Sequence, residues 1–229
     1  MIRLVYLLGL VLAAWLAALF PPPSPPYVGP ADKSSGPGNK PIRRVVIHST
    51  VSGSGRGVAR AIAAYFRSDR AGGSAHYVVD AYETVQVVFD SIVAWHAPPN
   101  PHTIGVEMCD DPGPIPAEGE RAAARKRWRW LDPLHVLLLR RTAKLTAQLC
   151  LAYGLPIRML DAGDLRANPD AEGITTHDYT SQAFRQSSHW DPGFWPERRF
   201  VKLTRRYAAS MTRAAERDAR KRAGKRAGK

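Results

Sequence analysis

The sequence predicts a single α/β domain with a central mixed β-sheet flanked by helices, and three observations carry that expectation. Apolar runs such as Arg44-Val45-Val46-Ile47-His48-Ser49 and Thr103-Ile104-Gly105-Val106-Glu107-Met108 are nearly continuous, as in strands covered on both faces. These runs alternate with segments of helical period, most clearly Leu134, Leu138, Leu145, Leu149 and Ala152. At 229 residues, 45% hydrophobic and 23% charged, the chain is long enough for one sizeable core plus tails.

Taken in order, Leu4 to Phe20 contains no charge and follows Arg3 and the amino terminus. Pro21-Pro22-Pro23-Ser24-Pro25-Pro26 then stops any helix. Residues 1–20 therefore read as an apolar helix that is a signal peptide or a signal anchor. Its 17 uncharged residues are at the short limit for crossing a bilayer. Either way the charge bias places the rest of the chain outside the cytoplasm, exported to the cell envelope or secreted. Residues 21–41, rich in Pro, Gly and Ser, read as a linker, and the domain is expected over 42–200.

Within that domain, residues 43–49 predict a strand and Val58 to Arg67 a short helix. The intervening Ser52-Gly53-Ser54-Gly55-Arg56-Gly57 lacks the Lys-Ser/Thr ending of a phosphate-binding loop, which excludes that mode of nucleotide binding. Ala75 to Asp80 and Thr84 to Phe89 form an expected hairpin, followed by strands at Ile92 to Trp95 and Thr103 to Cys109. Residues 110–132 are irregular, and their alternation of Arg and Trp before Trp130 is a candidate contact for sugar rings or an anionic polymer. Asp132 caps a long helix with Pro133 at its first position, and Gly154 ends it. Leu155 to Leu160 is expected to be one more strand.

Residues 201–229 hold eleven Lys or Arg against Glu216 and Asp218, so +9 of the net +13 lies in this basic helix and tail, which shows no core pattern. Such a tail suits anionic wall polymers or anionic lipids. Nucleic acid is disfavoured by the apolar leader. The two cysteines, Cys109 and Cys150, are too few for a disulfide scaffold and read as buried apolar residues.

Chemistry concentrates in four residues. His48 ends one apolar run, Glu107 interrupts another, His177 follows Gly173-Ile174-Thr175-Thr176, and Asp191 opens Asp191-Pro192-Gly193. Two imidazoles and a carboxylate make a three-ligand zinc site with one position open, and a second carboxylate beside it is the usual general base. Spacing does not establish that set, because seven histidines offer many triplets.

The surrounding words narrow the choice. Val46-Ile47-His48-Ser49-Thr50, Ser74-Ala75-His76-Tyr77-Val78-Val79-Asp80, Val93-Ala94-Trp95-His96-Ala97, Thr103-Ile104-Gly105-Val106-Glu107, Gly173-Ile174-Thr175-Thr176-His177 and Asp191-Pro192-Gly193 occur in that order. This series resembles the type 2 N-acetylmuramoyl-L-alanine amidases, a family that includes phage lysozyme-type amidases and is related to the peptidoglycan recognition proteins. The resemblance spans roughly residues 42–200. It implies zinc held by His48, His177 and Asp191, with Glu107 as the base. It also implies hydrolysis of the amide between N-acetylmuramic acid and L-alanine in bacterial peptidoglycan. Trp95 and His96 are then expected to line the substrate groove. Two departures stand out: His189 occupies a place where relatives often carry a Lys facing the developing oxyanion, and Ala75 replaces a tyrosine that some phage relatives carry. His189 is carried forward as a catalytic candidate and as a competitor of Asp191 for the metal. The alternative function is a non-catalytic peptidoglycan-binding module, which would have lost one or more of these ligands.

Overall fold

The computed structural model describes residues 25–27, 31–110 and 130–227. The apolar segment at 4–20 and the Arg/Trp stretch before Trp130 lie outside the described residues. No described helix is long and apolar enough to cross a membrane.

Seven strands and five helices make up the described chain: β1 (Ser34–Pro37), β2 (Arg44–Ser49), α1 (Val58–Phe66), β3 (Tyr77–Val79), β4 (Thr84–Gln86), β5 (Ile92–Ala94), β6 (Thr103–Met108), α2 (Pro133–Tyr153), α3 (Ala162–Ala167), β7 (Gly173–Thr176), α4 (His177–Phe184) and α5 (Glu197–Ala227). Five strands form the central sheet in the order β4-β3-β6-β2-β7, with β3, β6, β2 and β7 parallel and β4 antiparallel at one edge. The expected mixed sheet flanked by helices is therefore present.

The near-continuous apolar strands are explained by helices on both faces. Val45, Ile47, Ile104, Val106 and Met108 join the larger core with Leu138, Leu139, Leu145 and Leu149 of α2 and Phe200 of α5. On the other face Val78 and Val85 meet Ala59 and Ala63 of α1 in a smaller cluster. Alternation along β2 and β6 thus turns His48 and Glu107 away from the larger core. Helix α2 is also tied to the sheet by polar contacts, since the hydroxyls of Tyr153 and Tyr77 both donate to the Asp90 carboxylate at 2.6 Å.

The ends of α2 follow the sequence reading. Asp132 accepts hydrogen bonds from the backbone N–H of Leu134 and His135, and Gly154 takes the left-handed conformation that closes the helix. Cys109 and Cys150 are both buried and unbonded to each other, and burial pushes the Cys150 thiol up to about 12. Cys109 sits in the smaller cluster, on the Glu107 side of the sheet.

Three expectations are corrected. The linker does not extend to residue 41: β1 pairs antiparallel with β5, and fully buried Asn39 bridges Asp90 O at 3.1 Å and Thr103 O at 2.8 Å. Composition concealed this because strand pairing and one amide side chain anchor the segment without an apolar pattern. Leu155 to Leu160 makes only a single bridge, Met159 to Ile174, not a strand. The basic C-terminal helix begins at Glu197, before the expected 201, and its first half belongs to the domain. Phe200, Thr204 and Ala208 form a buried stripe at helical spacing, and Val201, Leu203 and Tyr207 pack against the larger core. The cations between them occupy the other positions of each turn and mask the stripe in the sequence.

Phe200→Ala should therefore destabilise the domain by about 3–5 kcal/mol, measured by urea denaturation, because the ring is fully buried. A second prediction concerns pH. His135 Nε2 lies 3.1 Å from Asp110 Oδ1 and its Nδ1 3.3 Å from Asp132 Oδ1, and the hydrogen bond to Asp110 leads in raising its pKa. A raised folded-state pKa adds stability that is full below the unfolded value of about 6.5 and is lost as pH rises through the folded value. The urea midpoint should carry this alkaline loss in the native protein, and His135→Gln should remove it.

Candidate active site

The site lies at the carboxyl ends of parallel strands, where open α/β sheets bind ligands. His48 on β2 is in register with Glu107 on β6, so the two side chains stand on adjacent strands of one face. His177 is the first residue of α4, directly after β7, and Thr176 caps that helix by accepting from Tyr179 N. Asp191 is held by its surroundings: Ser49 N donates to Oδ2 at 3.2 Å, and Asp178 N donates to its backbone carbonyl at 2.9 Å.

These placements bring His48, His177 and Asp191 together, with one ligand atom from each within 4.8 Å of the others. His48 Nδ1 is 3.2 Å from Asp191 Oδ2, and His177 Nδ1 is 3.1 Å from Asp191 Oδ1. Glu107 Oε1 lies 3.8 Å from His48 Nδ1. The far ring nitrogens are occupied by protein. His48 Nε2 is 3.0 Å from His96 Nδ1, His96 Nε2 is 2.9 Å from Thr103 Oγ1, and Thr103 Oγ1 donates to Asn100 O at 2.6 Å. One assignment of protons satisfies this chain with His48 Nδ1 keeping its lone pair: each Nε2–H donates outward to the next acceptor. His177 Nε2 likewise meets Ser187 Oγ at 3.2 Å.

Electrostatics fit a cation. Burial lowers His48 to about 4 and holds His96 well below its ordinary value, so these two imidazoles are neutral. Burial, then the Asp191 charge, raises Glu107. Burial alone would raise Asp191, but the ring nitrogens of His177, His189 and His48 around it reverse that and hold it well below the carboxylate range. Glu107 Oε2 is buried and has no hydrogen-bond partner among the described residues. Two imidazole nitrogens, an ionised carboxylate and an orphaned carboxylate oxygen form a donor set suited to a divalent metal.

A cavity of about 630 Å³ opens above these residues. Trp95 and His96 both border it, but in different ways. Trp95 is 42% exposed, whereas His96 is buried and spends both ring nitrogens on His48 and Thr103. His96 therefore orients His48. His189 is at the rim with 65% of its side chain exposed, stacked on the His177 ring at 4.4 Å. Its Nδ1 is 3.7 Å from Asp191 Oδ1, and the neighbouring Asp191 carboxylate raises its pKa. The metal-capable cluster contains Asp191 and not His189. His76 is wholly buried, accepts from Gly105 N at 3.0 Å and faces Ile92 O at 3.0 Å, which is a structural role. The His102 ring meets Pro41 O at 3.0 Å, outside the cavity lining.

Residues 38–194 match the profile of the N-acetylmuramoyl-L-alanine amidases. The chain belongs to that family. Among solved structures, the Staphylococcus aureus hydrolase AmiA, determined with its ligand, is similar with a TM-score of 0.60 and 14% identity over 83% of this chain and 86% of that one. PlyL is similar with a TM-score of 0.51 and 15% identity over 80% of this chain and 97% of that one. At such identities these likenesses speak for the fold. No curated protein sequence matches the chain.

Sequence reasoning about this amidase missed Thr103, Gly105 and Ser187. The first two were within reach, because alternation places Thr103, Gly105 and Glu107 on one face of β6. A Cβ at Gly105 would lie 2.6 Å from the His96 ring, so glycine is what lets His96 reach His48. Gly105→Ala should leave the sheet folded by circular dichroism yet weaken metal binding by about tenfold or more, the usual scale when a ligand loses its supporting partner. Chelator competition measures this.

Proposed function

We propose that the protein hydrolyses the amide between the lactyl group of N-acetylmuramic acid and L-alanine of peptidoglycan, with zinc held by His48, His177 and Asp191. The convergence of these three with the orphaned Glu107 oxygen on the floor of an open cavity carries the reading. Bound zinc would polarise the scissile carbonyl and bring water to a pKa near neutrality. Glu107 takes the proton of the attacking water and returns it to the departing amine nitrogen as the carbon–nitrogen bond breaks. His189, at the rim beside His177, donates a hydrogen bond to the oxygen that gains charge. His96 and Ser187 fix the two imidazoles, so the ligand geometry is preorganised.

The substrate lies outside the cytoplasm, which agrees with an exported chain carrying the apolar segment at 4–20 as a leader or anchor. The exposed cations of α5, among them Arg198, Lys202, Arg206 and Arg213, suit an anionic wall polymer.

The test combines metal analysis with mass spectrometry of digested peptidoglycan. The wild-type chain should hold about one zinc, and His48→Ala or His177→Ala should remove both zinc and cleavage. Glu107→Gln should keep zinc and lose roughly 10²-fold or more in kcat. His189→Ala should lower kcat more than it raises KM, because its bond forms mainly in the transition state. A zinc-loaded chain that binds peptidoglycan and releases no peptide would be the non-catalytic module instead.

A further inference from the structure

The cavity has an arm that the chemistry of the metal-capable cluster does not use. Trp95 and Tyr65 are its exposed aromatics, at 42% and 47% exposure, and Ile62, Phe66, Gly72 and Gly73 complete the wall. The polar end of each aromatic is engaged within the protein. Trp95 Nε1 donates to Ser35 Oγ at 2.6 Å, and the Tyr65 hydroxyl donates to Arg70 O at 3.3 Å. What they leave for a ligand is apolar ring surface. Apart from the carboxylates and imidazoles of the candidate site, no charged side chain lines the cavity among the described residues.

The position of Trp95 is set by β1. Trp95 N donates to Lys33 O at 3.3 Å and to Ser74 Oγ at 3.1 Å, Ser74 N donates to Trp95 O at 2.8 Å, and Ser74 Oγ donates to Lys33 O at 2.5 Å. A Cβ at Gly73 would lie 2.6 Å from Trp95 O, so glycine permits this close approach. Ser34 of β1 is opposite Ala94 of β5, next to the tryptophan. This strap precedes residue 38, where the family match begins.

We propose that Trp95 and Tyr65 form a subsite for a neutral pyranose ring of the glycan strand, and that Ser35 is a positioning residue that sets the Trp95 indole. The inference rests on the amidase reading and adds to it the class of ligand taken by this arm. One face of a pyranose is lined with C–H groups and matches apolar ring surface, whereas a carboxylate of the stem peptide finds no cation here. A sugar bound on this arm would be held through contacts made before reaction, so its loss should appear in KM more than in kcat.

The test uses the full chain and two substrates with the same scissile amide. One carries the N-acetylglucosaminyl-N-acetylmuramoyl disaccharide, and the other carries only the lactoyl group. Trp95→Ala should raise KM for the glycan-bearing substrate about tenfold more than for the lactoyl peptide. Ser35→Ala should move the same ratio about threefold, the scale of one lost hydrogen bond, and Ser35→Thr should restore it. Equal changes on both substrates would overturn the sugar assignment. A Trp95 effect with an unchanged Ser35→Ala ratio would overturn the strap. Calorimetric titration with the neutral disaccharide of N-acetylglucosamine reads the subsite without turnover. Binding that Trp95→Ala weakens supports the subsite even if the amidase reading fails, and absence of binding at millimolar disaccharide overturns it.

Discussion

The pairing of β2 with β6 is the constraint on which the rest depends. The two strands run parallel and place His48 opposite Glu107, with Val45, Ile47, Val106 and Met108 alternating to the opposite face. Those four apolar side chains are fully buried, so the larger core fixes the register. A slip of one residue would carry both the core set and the candidate site pair to the wrong faces. Stability and chemistry therefore share one determinant, and the candidate base needs no loop to position it. The third element follows from the same sheet: β7 pairs with the other side of β2 and delivers His177 at its end.

Bringing two carboxylates and two imidazoles into a nearly dry site is unfavourable without compensation. The structure divides that problem into two parts. Neutral partners take the outward nitrogens, through His96 and Thr103 on one side and Ser187 on the other. The inward atoms face one another, with the Asp191 carboxylate ionised and Glu107 raised by burial beside it. A divalent cation complements that arrangement in charge and in donor type. His96 shows why the outward half matters. Buried and uncharged, it holds His48 in the tautomer that keeps Nδ1 available, and Gly105 leaves room for its ring.

Much of this was legible in the chain because β periodicity and family words agree. The run around His48, the interruption by Glu107 and the cap-to-glycine frame of α2 all translate directly into structure. What escaped lacked such a signal. α3 and α4 are short helices of six and eight residues, and their apolar contacts with Leu160 and Ala171 form a satellite cluster too small to impose a pattern. The residues of β1 are Ser, Gly and Pro, which composition assigns to a linker, yet backbone pairing holds them. Ser187 is ten residues from His177 in sequence, and only the turn after α4 brings the hydroxyl back to the ring. His96 borders the groove as expected, but its second task, holding the His48 ring, shows only in three dimensions.

The site is thereby divided between two structural regimes. His48, Glu107 and His177 come from central parallel strands and the helix that follows one of them, where packing on both faces leaves little freedom. Trp95 and Tyr65 come from the two-stranded β1–β5 sheet and the end of α1, which meet the central sheet through the smaller cluster and through polar contacts of Asn39 and His76. Changes in the peripheral elements can reshape the cavity wall without disturbing the register of β2 and β6. Changes in the central strands cannot spare the wall, because Gly105 N binds His76, and the His76 ring in turn faces Ile92 O of β5. The shape of the cavity wall is consequently the property of this fold most open to variation, and the placement of the candidate base and metal-capable side chains the least.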